Sequence, residues 1–285
     1  MAVVAFWSDE EKETGQTMSM VALSTYMAIE HNYRILNISA NFRETTLENS
    51  YWDSSKEEDI IKAISTDMVE QGKLRKNSLE STVESLARII NSNKTSNSIV
   101  SSYSKVVFKD RLDVLCATKT KKYDEYKDIV SLYPEIIKAA NRDYDLVFID
   151  VSKKMETEDA QKILDAADII VVNITQRLKN IDGITKLKEE GRIFSKNNVL
   201  INIGRYDKFS KYNIKNIERY LKEKYINCIP YNTLFFEACS EGKVAELFLR
   251  LRKLDEEDRN YLFINEIKEF SNNLIYKLKM LQIRI

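Results

Sequence analysis

A chain of 285 residues, 44% hydrophobic and 31% charged, can bury about three quarters of its unfolded surface and needs no disulfide or metal staple. Its 44 Lys and Arg balance its 44 Asp and Glu, so it lacks the basic excess that predicts nucleic-acid binding. Three scattered cysteines and the single histidine, His31, form no C-x-x-C pattern and no multi-histidine metal set, and such unpaired thiols suit a reducing compartment as small buried hydrophobes.

The chain begins with Ala2–Trp7, an apolar, β-prone run, followed by a polar loop from Ser8 to Thr17. Met18, Val21, Ala22, Tyr26 and Ile29 then fall at helical spacing and predict a helix over 18–30. Strand, loop and helix in that order are the setting in which a phosphate-binding P-loop, G-x-x-x-x-G-K-[ST], is credible. Laid on Gly15, the pattern has Glu10 for its first glycine, Gln16 for its lysine and Thr17 for its hydroxyl. The lysine charge is gone, and Asp9, Glu10, Glu11 and Glu13 stand in the loop. A carboxylate about 5 Å from a phosphate charge is repelled by roughly 3 kcal/mol at an effective dielectric of about 20. What survives is a helix N-terminus at Gly15-Gln16-Thr17-Met18, whose N–H groups favour anions, with Lys12 the nearest cation.

Further strands are predicted at Arg34–Ile38, Leu112–Leu115, Leu146–Ile149, Ile169–Ile174, Val199–Ile203 and Tyr225–Ile229. Their apolar character is continuous rather than alternating, as in strands buried on both faces. Helices are predicted over 124–141, 157–166, 177–195 and 212–224. Strands alternating with helices predict an α/β fold: a doubly wound, mostly parallel sheet with helices on both faces. The connection 44–110 shows no clear strand. It has helical patches at 57–70 and 79–91 and a Ser/Asn-rich loop from Asn91 to Ser104. The organisation read from this is one domain over 1–285 with a helical insertion at about 51–104.

Near the end, Ile267, Phe270, Leu274, Leu278, Leu281 and Ile285 form one apolar stripe on a helix over about 264–285, with Lys268, Lys277, Lys279 and Arg284 off it. Such a stripe suits packing on the chain's own domain or on a twin. It also suits a basic amphipathic helix lying on a membrane. No window approaches the length of a membrane span, and the first residues have no leader-like charged and apolar regions. The expected location is the cytoplasm, with peripheral membrane contact the alternative that the tail leaves open.

In order and spacing, residues 2–250 resemble the ParA/MinD family of deviant-P-loop ATPases, which position plasmids, septa and pili. The family's K-G-G-x-G-K-T corresponds to Glu11-Lys12-Glu13-Thr14-Gly15-Gln16-Thr17. Its D-x-D segment, whose second Asp helps polarise the attacking water, corresponds to Ser39-Ala40-Asn41, and its Walker B strand to Tyr144–Asp150, where Asp150 is kept. Ala167–Val172 is similar to its next strand, Val199–Tyr206 to its adenine-side strand, and Ile229-Pro230-Tyr231-Asn232 with Glu237-Ala238 and Glu241-Gly242-Lys243 to the segment that closes around the base. Among its branches, the pilus-localisation proteins of the TadZ/CpaE type also contain atypical P-loops. The resemblance implies ATP near Lys12, Gly15, Gln16, Thr17, Met18, Asn202, Arg205 and Pro230, and Mg²⁺ on Thr17 and Asp150. It implies protein partners within a partition, pilus or secretion/conjugation machine, and a homodimer. Family dimers sandwich two ATPs with a signature lysine that Glu11 replaces here. Two functional readings follow: a non-hydrolysing scaffold with a degenerate nucleotide site, or a slow, atypical Mg-ATPase. A small-molecule ligase or kinase on the same fold is a third.

Overall fold

The computed structural model describes residues 1–10, 14–42, 44–53, 83–92, 99–151, 155, 157–191, 193–194 and 198–281. Lys12, the remaining residues of 11–13, the predicted helix 57–70 and the last four residues lie outside them.

Among the described residues the sheet has eight strands: β1 (Ala2–Trp7), β2 (Ile35–Ala40), β3 (Lys105–Phe108), β4 (Leu112–Leu115), β5 (Leu146–Val151), β6 (Ile169–Ile174), β7 (Val199–Tyr206) and β8 (Asn227–Pro230). Their order is β3-β4-β2-β5-β1-β6-β7-β8. All pairs are parallel except edge strand β3, which runs antiparallel to β4. The chain leaves β1 for β2 on one side, passing β5, and leaves β5 for β6 on the other, passing β1. The carboxyl ends of β1 and β5 therefore flank the switch point at which ligands bind in open α/β sheets.

Helices cover both faces. On one, α1 (Gln16–Glu30), α10 (Thr233–Glu241), α11 (Val244–Arg250) and α12 (Tyr261–Met280) bury Val4, Phe6, Leu146 and Phe148. On the other, α3 (Val83–Asn91), α5 (Tyr123–Val130), α6 (Tyr133–Ala140), α7 (Thr157–Ala166), α8 (Leu178–Glu190) and α9 (Ile214–Leu221) bury Val3, Ala5, Ile38 and Ile149. Alternate residues of one strand thus feed two separate cores, which explains the continuous apolar runs. Short helices α2 (Thr46–Asn49) and α4 (Ile99–Ser102) complete the described elements.

The parallel, doubly wound reading is the observed fold. Three local expectations change. The predicted helix 124–141 is two helices broken at Ser131-Leu132. Pro134 has no N–H to continue a helix and sits in the first turn of the second one, the position where proline is tolerated. Strand β3, missing from the sequence reading, is only half-buried and short, so it leaves a weak apolar signal. α4 lies within the stretch expected to be loop.

The apolar stripe of α12 belongs to the domain's own core. Ile267, Phe270, Leu274 and Leu278 are completely buried, against β8 and α1. A membrane or a twin would have to displace the sheet to reach them, so the membrane alternative is corrected for the stripe as far as Leu278; Leu281 is half-buried and Ile285 lies outside the described residues. No helix among the described residues is long and apolar enough to cross a membrane. All three cysteines are buried and none is joined in a disulfide.

Candidate functional site

The loop after β1 enters α1 through Gly15, which has φ +68° and no side-chain cap. That left-handed conformation is strained for any residue with a Cβ. The loop rests directly on β7: a Cβ added to Gly204 would lie 1.9 Å from the Thr14 carbonyl oxygen. Two glycines far apart in sequence thus allow the loop to lie on the strand, where Arg205, also at positive φ, passes beside Gly15.

Asp150 is the penultimate residue of β5, in register with Phe6 of β1 and Ser39 of β2, and is completely buried. Three neutral side chains converge on it. Gln16 Nε2 donates to Oδ1 at 2.6 Å and also to the Val151 carbonyl at 3.0 Å. Thr17 Oγ1 donates to Oδ2 at 2.6 Å, and Asn41 Nδ2 donates to the same oxygen at 2.8 Å. Asn41 Nδ2 also approaches Ser39 Oγ at 3.4 Å. Burial pushes the carboxyl up to about 6, against the lowering effect of the Thr17 and Gln16 bonds, while Glu44 pushes it further up and the Asn41 bond counters. Burying a charge is costly unless it is hydrogen-bonded, and these amides and the hydroxyl supply such bonds.

Gln16 and Asn41 are thus brought together although 25 positions separate them in sequence. Reading Gln16 only as a missing lysine overlooks this. The available signal was a pair of amides at the two family positions that flank the retained aspartate. Thr17 and Asp150, expected to share a metal ion, bond to each other. Among the described residues, no group of three or more His, Cys, Asp and Glu could hold a metal.

The expected base-side residues separate. Gly15, Met18, Arg205 and Pro230 line one small cavity with Tyr231 and Phe236. Its volume is about 20 Å³, room for about one water molecule. Tyr231 and Phe236, whose rings lie 6.5 Å apart, stand at its exposed side. Asn202 points elsewhere. It is completely buried in the middle of β7, donating to Ser19 Oγ at 3.0 Å and to Asn173 Oδ1 at 2.8 Å. Asn173, Asn202 and Asn227 stand in register across β6, β7 and β8, a polar row that meets Ser19 of α1 and Asn273 of α12.

No protein-family model and no curated protein matches this sequence. Solved structures do. A ParA family ATPase from Chlorobium tepidum superposes with a TM-score of 0.67 at 14% identity, over 97% of this chain and 98% of its own. The fold is that of the ParA/MinD ATPases. The septum site-determining protein MinD from Pyrococcus horikoshii, complexed with Mg-ADP, gives a TM-score of 0.62 at 13% identity, over 97% of this chain and 98% of its own. MinD in the MinC:MinD cell division complex of Aquifex aeolicus gives 0.63 at 13% identity, over 97% of this chain and 96% of its own. At these identities the likeness is one of ParA/MinD fold. Within that fold, the loop at Gly15 and the end of β5 occupy the switch point, and the contact between Gln16 and Asp150 bridges them.

Proposed function

We propose that this chain is a ParA/MinD-fold protein whose nucleotide site has become a permanent structural contact, and that it works by binding other proteins in the positioning or assembly of a larger machine. The observation that carries this is the Gln16–Asp150 hydrogen bond at 2.6 Å. A P-loop lysine serves phosphate; here an uncharged amide serves the protein's own aspartate instead. Two further observations support the reading. Both Asp150 oxygens already accept bonds from this chain's side chains, and the base-side cavity holds about 20 Å³. The residues therefore do not fit Mg-ATP in this arrangement. The MinD of Aquifex aeolicus that shares the fold is seen in complex with a second protein, MinC, which favours a partner-binding role. We take residues 1–285 as one unit with an insertion at about 51–104, located in the cytoplasm.

Isothermal titration of the full chain with ATP and Mg²⁺ tests this. The expected result is no saturable heat, with ATP hydrolysis no faster than in buffer. Losing the charge-neutralising and water-orienting groups removes large terms in phosphoryl transfer. Steady turnover that Asp150→Ala abolishes would overturn the proposal. It would instead favour the slow Mg-ATPase reading, whose supporting observation is that Thr17 and Asp150 remain 2.6 Å apart beside a helix N-terminus.

A further inference from the structure

The loop that follows β7 is held in one shape by a single side chain. Gln176, between β6 and α8, donates from Nε2 to the Asp207 carbonyl at 3.0 Å and to the Tyr212 carbonyl at 2.8 Å, and its Oε1 accepts the Asp207 N–H at 2.8 Å. Within the loop, Phe209 N donates to Asp207 Oδ1 at 2.9 Å and Tyr212 N to Ser210 Oγ at 3.2 Å. The loop so held presents Phe209 to solvent. Phe209 is 85% exposed, the most of any large hydrophobic residue among the described residues, although Lys208 Nζ lies 5.2 Å from the centre of its ring. An aromatic side chain on a backbone already fixed loses little freedom on binding, which suits it as the anchor of an interface. Lys208 and Lys211, both exposed, flank it.

A cavity that fits such a ring lies at the other end of the strands, beside the last turn of α1. Ile29, Phe248, Leu251, Leu254 and Ile264 line it. Ile29, Leu254 and Ile264 are only half-buried, so apolar surface remains uncovered there. The volume is about 310 Å³, whereas about 150 Å³ already admits a benzene ring. Leu254 leads directly into an exposed acidic run, Asp255 to Asp258. At the rim, Arg252 is matched by Glu30 at 2.7 Å. The four carboxylates of the run outnumber the cations left around it, Lys253, Arg259 and Lys268. The Phe209 loop has the opposite balance, with Lys208 and Lys211 against Asp207.

We infer that Phe209 of one chain docks in this cavity of a second copy, so that copies join head to tail. The ring replaces water against Ile29, Leu254 and Ile264, and Lys208 and Lys211 meet the acidic run beside Leu254. Opposite potentials on the two faces steer the encounter and fix its direction. The loop stands at the carboxyl ends of β6 and β7 and the cavity beside the last turn of α1, so a chain cannot fill its own cavity. A copy that gives its Phe209 keeps its own cavity open, and such a heterologous contact builds rows unless its rotation closes a ring. Neither face includes Gln16, Thr17, Asn41 or Asp150, so the inference goes beyond the nucleotide reading and stands or falls apart from it.

Sedimentation velocity on the full chain tests this. The expected result is a mass that rises with protein concentration without ATP or Mg²⁺ and falls with added salt. Phe209→Ser should weaken the association by about tenfold to a hundredfold, the loss of one buried aromatic ring. Leu254→Arg, which sets a cation at the mouth of the cavity, should weaken it as much. Glu256→Lys with Glu257→Lys, at exposed positions that cannot disturb the core, should weaken it about fivefold. The deciding sample is an equimolar mixture of Phe209→Ser and Leu254→Arg, in which one variant keeps the cavity and the other keeps the ring. The mixture should regain the association and stop at pairs. A mass of one chain at every concentration overturns the inference, as does association that needs ATP and Mg²⁺ or that Phe209→Ser and the double lysine variant leave untouched. Flotation on phosphatidylglycerol vesicles that Phe209→Ser abolishes would make the loop a membrane contact and equally overturn it.

Discussion

Asp150 shows how burial and neutral hydrogen-bond donors together set the behaviour of one carboxyl group. Its carboxylate is held by Thr17, Gln16 and Asn41, none of them charged. Burial raises its pKa from 3.8 to about 6. The folded state therefore binds this proton more tightly than the unfolded chain. The resulting stabilisation is complete below about pH 4 and is lost as pH rises through about 6. Asp150→Asn removes that dependence. The stability of the Asp150→Asn variant relative to the unmodified protein should accordingly rise between about pH 4 and about pH 6 and stay level above. At about 1.4 kcal/mol per unit, the rise should approach roughly 3 kcal/mol. Urea denaturation across this pH range measures it; a difference independent of pH would mean that Asp150 titrates normally.

The elements around the site depend on close approach. The loop lies on β7 only because Gly204 lacks a Cβ. Gly204→Ala should push the Thr14 carbonyl away and cost about 1–3 kcal/mol, the usual penalty of overpacking. Hydrogen exchange at the first turn of α1 should accelerate together with the loss of melting temperature, whereas unchanged exchange there would show that β7 yields instead. At α12, Leu274→Ala should cost about 2–5 kcal/mol, since Leu274 is completely buried within one chain. Its sedimentation behaviour should match that of the unmodified protein; lower mass with undiminished stability would place the stripe between chains. The spacing of this stripe was plain in the sequence, but spacing states only that a face is covered. The covering partners, β8 and α1, come from residues up to about two hundred and fifty positions away.

At the scale of the whole molecule, the sheet holds two places at the carboxyl ends of its strands, the Gln16–Asp150 contact and the small cavity beside Pro230. Gln16→Lys alone places a cation at the start of α1 and leaves the cavity of about 20 Å³ beside Tyr231 and Phe236 unchanged. ATP affinity should therefore stay undetectable by titration in Gln16→Lys and become measurable only when Phe236→Ala is added. Recovery from the lysine alone would show that charge, not space, excludes the nucleotide. In the unmodified protein, the mass measured by light scattering should be the same with and without ATP and Mg²⁺, since an ATP-bridged pair needs both parts of the site.

Local periodicity and composition by themselves determined the alternation of strands and helices, the burial of strands on both faces, the position of Asp150 at a strand end and the apolar face of α12. Those properties depend on residues a few positions apart, and a helix or buried strand writes them directly into its spacing. Tertiary structure alone decided that Gln16 reaches Asp150 across 134 positions, that Asn202 turns to Ser19 and Asn173, and that Tyr231 and Phe236 line one cavity with Met18 and Arg205. Each depends on the order of strands in the sheet and on the register of β5 with its neighbours. A one-residue slip in register would turn Asp150 to the other face of the sheet, and nothing in its own stretch of sequence states which neighbours it will meet.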